Sequence, residues 1–283
     1  MHTTASDGRL SPAELVARAA AAGLTTISVT DHDTVAAIPE VTAAATAVGI
    51  RVVPGIEITS IDDGRDVHLL GYFFDPASSA LAEMLVGQQA LRISRVREIA
   101  ARLASLNMKV DVDRLLLAAA ARPGSSIGRP QLARELVRVG YVASVQQAFD
   151  RWLANGRPAY VDRTGPSPAA VVETIHAAGG VASMAHPGVT KRDELIAPLI
   201  ESGLDALEVY HSDHTPEDVI DYRGKAVRLN ALITGGSDFH GEEPPAQDGK
   251  PGRPGRPHRS TFGAVGLPPG DFAALEQRAQ ARQ

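Results

Sequence analysis

The sequence predicts an α/β fold on a mainly parallel sheet, and three observations carry that prediction. Short β-branched runs alternate with Ala-rich segments that stop at glycine. Ionisable residues collect where those runs end. The composition is aliphatic, 44% hydrophobic with one Trp, five Tyr and six Phe in 283 residues. Strand–helix alternation places helices on the faces of parallel strands, and α/β barrels carry their chemistry at the C-terminal ends of those strands. At ~150 residues per domain the chain forms one large domain or two smaller ones.

The elements follow in order. Ser11-Pro12-Ala13-Glu14 announces a first helix, with Ser as N-cap, Pro at the first helical position and Glu completing a capping box; it runs to about Ala22 and stops at Gly23. Residues 25–30 read as a buried strand that ends in Asp31-His32-Asp33. An Ala-rich helix to about Val48 and a strand at 51–53 repeat the pattern, leading through Pro54-Gly55 to Glu57. Residues 66–72 form another short strand, which carries His68. Downstream, strands at 180–185, 206–210 and 231–234 run into His186-Pro187, His211 and Gly235-Gly236-Ser237-Asp238-Phe239-His240, with helices between them.

Residues 77–166 break this rhythm, because 81–106, 112–121, 130–139 and 144–155 all read as helices with no strand between. They are expected to form a helical insertion, leaving 1–76 and 167–283 as the alternating domain. A turn-rich connector occupies 122–130 within the insertion, and Gly165-Pro166-Ser167-Pro168 starts the next helix. Residues 242–257, rich in Pro, Gly, Lys and Arg, are expected to be a mobile loop.

Composition narrows the chemistry. The chain has no cysteine, which excludes disulfides, thiolate metal sites and cysteine nucleophiles, so any metal binds through His, Asp or Glu. Lys and Arg total 28 against 33 Asp and Glu, a net charge of −5 that argues against a surface coating duplex nucleic acid. No apolar run approaches the ~20 residues of a membrane span, and the start lacks a basic-then-apolar leader. A soluble cytoplasmic enzyme is the expectation.

His2, Asp7, His32, Glu57, His68, His186, Asp238 and His240 are the candidate ligands. Each has an ordinary reading alone: His32 in a surface turn, His68 as a satisfied core histidine, His186 as a strand cap. Together, six of them fall at or near predicted strand ends, which neighbouring parallel strands would gather into one cleft. Imidazoles and carboxylates without thiolates suit Mn, Zn or Fe. A carboxylate such as Glu57 can bridge two ions, a geometry for activating water and clamping phosphate. Asp33 is expected to support ligands from outside rather than to ligate.

These motifs resemble the PHP (polymerase and histidinol phosphatase) metallophosphoesterases. The resemblance runs through His2-Thr3-Thr4-Ala5-Ser6-Asp7-Gly8, Thr30-Asp31-His32-Asp33, Gly55-Ile56-Glu57, Val67-His68-Leu69-Leu70-Gly71-Tyr72, Ala185-His186-Pro187 and Gly236-Ser237-Asp238-Phe239-His240. Within the family, the chain looks most like stand-alone nucleotide phosphatases related to 3′,5′-nucleoside bisphosphate phosphatase and 5′→3′ exoribonuclease activities. The resemblance implies a distorted (β/α)7 barrel with two or three divalent ions, Mn first and Zn or Fe next. On that carry-over His2, Glu57 and Asp238 serve one ion, Glu57 bridges to a second held by His68 and His186, and Asp7, His32 and His240 hold the third. The family motif opens Asp-Leu-His-x-His, whereas Met1 stands here at the x position, so the first His and its strand are absent. An upstream natural start is the favoured reading, and a truncated, impaired protein is the alternative.

The resemblance also matches Arg129, in Ile127-Gly128-Arg129-Pro130, to a basic residue that the insertion hangs over the cleft to grip phosphate; the alternative is a solvated helix start. Gln131 stands where related sequences often carry His. Lys191 and Arg192 are candidates for a second phosphate or for a charged helix start. His211 and His214 are candidate substrate contacts. His176 reads as structural, and Lys250, Arg253, Arg256, His258 and Arg259 read as a solvated basic loop.

The leading functional reading is divalent-metal-dependent hydrolysis of a phosphomonoester on a nucleotide or short oligonucleotide end. A metal-bound hydroxide would attack in line, Arg129 would orient the phosphoryl oxygens, and His240 or a bound water would assist the leaving group. The rivals are a histidinol-phosphate-type phosphatase, an inactive metal- or nucleotide-binding protein and, more weakly, a metal-dependent amidohydrolase.

Overall fold

A computed structural model describes residues 1–121, 127–241, 262–263 and 265–282. Most of the expected connector at 122–130 and all of the expected loop at 242–257, with Lys250, Arg253, Arg256, His258 and Arg259, lie outside the described residues. In chain order the elements are α1 (Pro12–Ala21), β1 (Thr26–Ile27), α2 (Ile38–Ala47), β2 (Arg51–Val52), β3 (Gly55–Asp62) and β4 (Arg65–Tyr72). Next come α3 (Ser79–Ser105), α4 (Val112–Ala120), α5 (Arg129–Val139), α6 (Val145–Ala148) and a π-helical segment at Phe149–Leu153. The chain then runs through α7 (Pro168–Ala177), β5 (Val181–Met184), α8 (Pro187–Thr190), α9 (Ile196–Glu201), β6 (Ala206–His211), α10 (Pro216–Arg228), β7 (Leu232–Gly236) and α11 (Pro269–Gln280).

The start of α1 follows its sequence signal. Glu14 N donates to Ser11 Oγ at 3.3 Å and Ser11 N donates to Glu14 Oε2 at 2.8 Å, so two otherwise orphaned amides satisfy each other's residues. Ser167 caps α7 in the same manner, accepting from Ala170 N at 3.2 Å.

The sheet is mixed rather than mainly parallel. β1 and β2 form a two-stranded parallel sheet, while the order β3-β4-β5-β6-β7 makes a second sheet in which β3–β4 and β4–β5 are antiparallel and the remaining pairs parallel. The cause is a tight hairpin at Asp63-Gly64, where φ is 47° and 70°. Positive φ at both central residues is the type I′ geometry whose twist matches antiparallel strands. Asp62 pairs with Arg65, and the register then runs to Gly55 opposite Tyr72.

The strand expected at 25–30 is also shorter. Val53 N donates to Ile27 O at 2.9 Å, but Pro54 has no amide to continue the ladder. At Gly55 the backbone approaches so closely that an added Cβ would lie 2.1 Å from Ser28 Oγ and 2.8 Å from Val29 O. Beyond this gap the two segments rejoin: Glu57 N donates to Asp31 O at 3.2 Å, Asp33 N donates to Glu57 O at 2.8 Å, and His32 bridges Glu57 in parallel. That junction links the two sheets beside the candidate ligands.

Four hydrophobic clusters are present among the described residues, the smallest joining Leu275 and Ala279 of α11 to Val181 and Ala206. Ile56, Leu69, Ile175, Met184 and Leu207 lie between the larger sheet and its helices, and Leu15, Val16, Ile27, Val29 and Val41 pack beneath α1 and α2. Between β4 and β5 the helices α3 to α6 bury a separate cluster that includes Val96, Ile99, Leu103, Leu132 and Leu136. Helix α3 joins the bodies, since its Leu81 belongs to the sheet cluster and its Val96 to the helical one. Among the described residues, no helix is long and apolar enough to cross a membrane.

Candidate metal centre

Glu57 stands at the middle of the site. It is the third residue of β3, 2% exposed, and four imidazoles surround its carboxylate. His68 Nδ1 lies 2.6 Å from Oε1, His186 Nε2 3.3 Å and His32 Nδ1 4.0 Å, while His2 Nε2 lies 3.1 Å from Oε2. Glu57 and His68 therefore sit inside strands, not at their C-terminal ends. The antiparallel hairpin brings them together from adjacent strands, with Thr59 directly opposite His68.

A second set adjoins the first. His2 Nε2 is 3.0 Å from Asp238 Oδ1, and His240 Nε2 is 3.2 Å from Asp7 Oδ1. The His2 and His240 rings stack with centroids 4.0 Å apart. His240 Nδ1 lies 2.8 Å from the Asp238 carbonyl, which fixes that ring as a donor on this side. His2 is placed by its own backbone, donating to Phe239 O at 2.8 Å. Buried Asp31 then fixes the following turn, accepting from Thr3 N and Thr3 Oγ1 at 2.7 Å each and from Ser6 Oγ at 2.6 Å.

Among the described residues, ligand atoms fall into three compact groups. Ligand atoms of His2, Glu57 and Asp238 lie within 4.8 Å of one another, as do those of His2, Asp7, His32 and His240. The third compact group is His32, Glu57 and His68, so His32 stands beside two sets. His186 Nε2 meets the same Glu57 oxygen, Oε1, as His68 Nδ1.

The donors converge without satisfying one another. His2 Nδ1 and Nε2, His32 Nδ1, His68 Nδ1 and His211 Nε2 are buried and make no well-directed hydrogen bond despite the nearby carboxylates. Buried polar groups are ordinarily paired, and imidazole nitrogens with carboxylate oxygens facing a common space are a donor set for divalent cations. Protonation divides the set. Burial raises the pKa of Asp7, Glu57 and Asp238, but the surrounding imidazoles outweigh it and hold all three below the usual carboxylate range. Burial lowers His32 and His211 to about 3, leaving them neutral. His2 and His186 behave oppositely: burial lowers them, but Asp238 and Glu57 on His2, and Glu57 on His186, outweigh it and raise each to about 9. Both ligand-bearing loops carry backbone strain of a kind common at functional sites, with φ of 28° at His186 and 47° at Asp238.

The expected substrate contacts divide. His211 faces the cluster: Asp213 N donates to its Nδ1 at 3.1 Å, and its Nε2 lies 3.9 Å from Asp238 Oδ2. Arg129 lines a cleft shared with Asp7, His32 and His68. Lys191 and His214 are not brought to the site. Lys191 is exposed at 67% of its side chain and lies 3.8 Å from Asp218. Both His214 nitrogens serve structure, Nδ1 toward Val209 O at 2.8 Å and Nε2 accepting from Gly188 N at 3.1 Å. Arg192 pairs with Asp62 and Glu194, and His176 pairs with Asp205 at 2.9 Å.

Sequence reasoning passed over four contributors. Glu208 on β6 is 4% exposed and accepts from His186 N at 2.7 Å, and burial pushes its carboxyl up to about 8. Its place inside an apolar strand, Ala206–His211, was its only signal. Arg92, Arg95 and Arg163 join Arg129 around the cleft. Arg92 pairs with Asp33, which also accepts from Thr59 N at 2.8 Å, so Asp33 connects α3 to β3.

Gly8 supplies a local test of how His2 is placed. An added Cβ would stand 2.3 Å from His2 O and 2.7 Å from Thr3 N. Gly8→Ala is therefore expected to displace His2 and reduce manganese retained after dialysis by about tenfold or more. Retention equal to that of the unsubstituted protein would show that His2 contributes nothing to metal binding.

The comparisons with known proteins agree with this geometry. The PHP domain family matches residues 1–125. The chain is 36% identical over 244 residues to a 5'-3' exoribonuclease of Haemophilus influenzae, covering 84% of this chain and 88% of that one. It is 34% identical over 245 residues to a 3',5'-nucleoside bisphosphate phosphatase of Chromobacterium violaceum, covering 84% and 85%. Among solved structures, an amidohydrolase of Chromobacterium violaceum with bound sulfate aligns at a TM-score of 0.74 and 31% identity over 98% of this chain and 94% of that one. Four imidazoles around a buried carboxylate, together with these relatives, establish that the chain belongs to the PHP domain family of metal-dependent phosphoesterases.

Proposed function

We propose that this protein hydrolyses phosphomonoesters of nucleotides or short oligonucleotide ends, in the cytoplasm, with two or three divalent ions and Mn first among them. The observation that carries the reading is Glu57 among four imidazoles at 2.6–4.0 Å, with buried unpaired ring nitrogens opening on an arginine-lined cleft. Relatives named for exoribonuclease and nucleoside bisphosphate phosphatase activity support a nucleotide. The chain is read as a distorted (β/α)7 barrel over 1–76 and 167–283, with 77–166 as an insertion that covers the substrate.

His2, Glu57 and Asp238 would hold one ion, His68 and His186 a second with Glu57 between them, and Asp7, His32 and His240 a third. Ions bound there supply an acidified water and neutralise charge on the phosphoryl oxygens. Arg129 presents a planar guanidinium fork to those oxygens and fixes their orientation. His240, held through Nδ1 by the Asp238 carbonyl, turns Nε2 toward Asp7, where it would serve the third ion; with only two ions bound, that nitrogen would instead carry the proton passed to the leaving oxygen. His211 Nε2 borders the same space, 3.9 Å from Asp238 Oδ2.

The test is phosphate release from nucleotides, short 5′-phosphorylated oligonucleotides and histidinol phosphate by purified protein. Chelation is expected to abolish release from the nucleotide set and added Mn to restore it. Release that ignores the chelator would sink the metal-dependent reading, and a preference for histidinol phosphate would replace the nucleotide one.

A further inference from the structure

His186 meets Glu57 from a backbone conformation that few residues adopt, with φ of 28° and ψ of 59°. Strain of that kind persists only where the surroundings fix it. Here hydrogen bonds fix the turn. Pro187 has no amide, and the amides of Val189, Thr190 and Lys191 are satisfied within the turn, the first two by His186 O at 2.9 and 3.1 Å and the third by Pro187 O at 2.9 Å. The amides of His186 and Gly188 remain, and each meets a side chain from residues 208–214. His186 N donates to Glu208 Oε2 at 2.7 Å, and Gly188 N donates to His214 Nε2 at 3.1 Å.

Both acceptors are themselves held. Glu208 is 4% exposed on β6, opposite Thr234 of β7. A Cβ added at Gly236 would stand 3.2 Å from Glu208 Oε1, so a side chain there would crowd the carboxyl. His214 Nδ1 faces the Val209 carbonyl at 2.8 Å and therefore carries the ring proton, which leaves Nε2 as an acceptor. Its ring lies beside that of Tyr222, with centroids 5.3 Å apart. At Gly188 an added Cβ would stand 2.7 Å from His214 Cδ2 and 2.9 Å from Nε2, so this contact requires glycine. The His186 ring is oriented by the same turn: Nδ1 lies 3.3 Å from Thr190 Oγ1, and Nε2 lies 3.3 Å from Glu57 Oε1.

We propose that Glu208 and His214 are positioning residues, which brace the 186–190 turn so that His186 Nε2 is aimed at an ion beside Glu57. This rests on the reading of His186 as a ligand in the candidate metal centre. What the brace supplies is two acceptors at fixed places. His214 thereby serves the centre without reaching it.

Manganese binding to the full chain, followed by calorimetry after chelator treatment, tests the brace. Glu208→Leu and Gly188→Ala are each expected to weaken one class of manganese site about tenfold or more and to leave the others within about threefold, whereas a general loss of structure would weaken all of them together. Glu208→Gln keeps an acceptor for His186 N and is expected to stay within about threefold of the unsubstituted protein. A double-mutant cycle isolates the route: with His186→Ala already present, Glu208→Leu or Gly188→Ala is expected to cause no further loss at that site, because each acts through His186. No loss in the single variants, or the same loss in both backgrounds, overturns the brace, as does a Glu208→Gln effect equal to that of Glu208→Leu. If Glu208→Leu does not fold, Gly188→Ala carries the same cycle. Manganese binding unchanged by His186→Ala overturns the brace and leaves the hydrolytic reading standing. Coupling through His186 without phosphate release from any nucleotide in Mn would retire the hydrolytic reading and keep the brace.

Discussion

Glu57→Gln is expected to cut phosphate release by at least about a hundredfold, exceeding the roughly 10–100-fold cost typical of groups that merely support metal ligands. The substitution preserves shape and one acceptor but removes the carboxylate charge lying between His2, His32, His68 and His186. An amide offers one oxygen and one NH₂, and the latter would point a donor into a space that needs an electron pair. Asp33→Asn makes the useful contrast. Asp33 touches Thr59 N and Arg92 rather than the imidazole cluster, so Asn keeps an acceptor for Thr59 and loses only the charge opposite Arg92. Its expected loss is about tenfold. Activity and bound-manganese stoichiometry, measured on both variants, check the assignment. Equal losses would remove Glu57 from its bridging position.

The contrast also shows what could be read from the chain before folding. The α1 capping box and the glycine that follows it are local signals, complete within a few residues, and the structure reproduces them. The Asp63-Gly64 turn was equally local, a strong hairpin signature. The parallel pattern expected of alternating strands and helices takes no account of it, whereas residues 58–62 pair antiparallel with 65–69. The cluster around Glu57 was legible only as a set of residue types, because each distance there depends on the β3–β4 register. Glu208 could not be distinguished from a strand carboxylate with a solvent-facing side chain. Arg92 and Arg95 sit on one face of α3, at the spacing of an ordinary solvated helix face. Their convergence with Arg129 and Arg163 is a property of how the helices pack, which no local pattern records.

The far end of the sheet gives the second large effect. Asp205 precedes β6 and its side chain is 1% exposed, yet it accepts from His176 Nε2, Ala182 N and Arg278 Nη1 at 2.9 Å each and from Arg282 at 2.6 and 2.7 Å. One carboxylate thus ties α7, β5 and α11 together. Asp205→Ala leaves those donors without their acceptor, and breaking a buried pair from one side costs about 3–5 kcal/mol. The penalty has a pH signature. Burial raises the Asp205 pKa, but His176, Arg282 and the Ala182 amide outweigh it and lower it from 3.8 to about 2. A carboxylate whose folded pKa lies below its unfolded value stabilises the fold fully above the unfolded pKa and loses that contribution as pH falls through the folded one. The stability gap between the unsubstituted protein and Asp205→Ala is therefore expected to be constant near neutrality and to narrow between about pH 4 and pH 2. Urea melts across that range measure it. A gap that stayed flat to pH 2 would mean that the carboxylate charge is not what holds α11. Manganese content of the folded variant at neutral pH is expected to match that of the unsubstituted protein, because the six residues of β6 separate Asp205 from His211 by roughly 20 Å. That separation is what allows the clamp and the candidate metal centre to be tested independently.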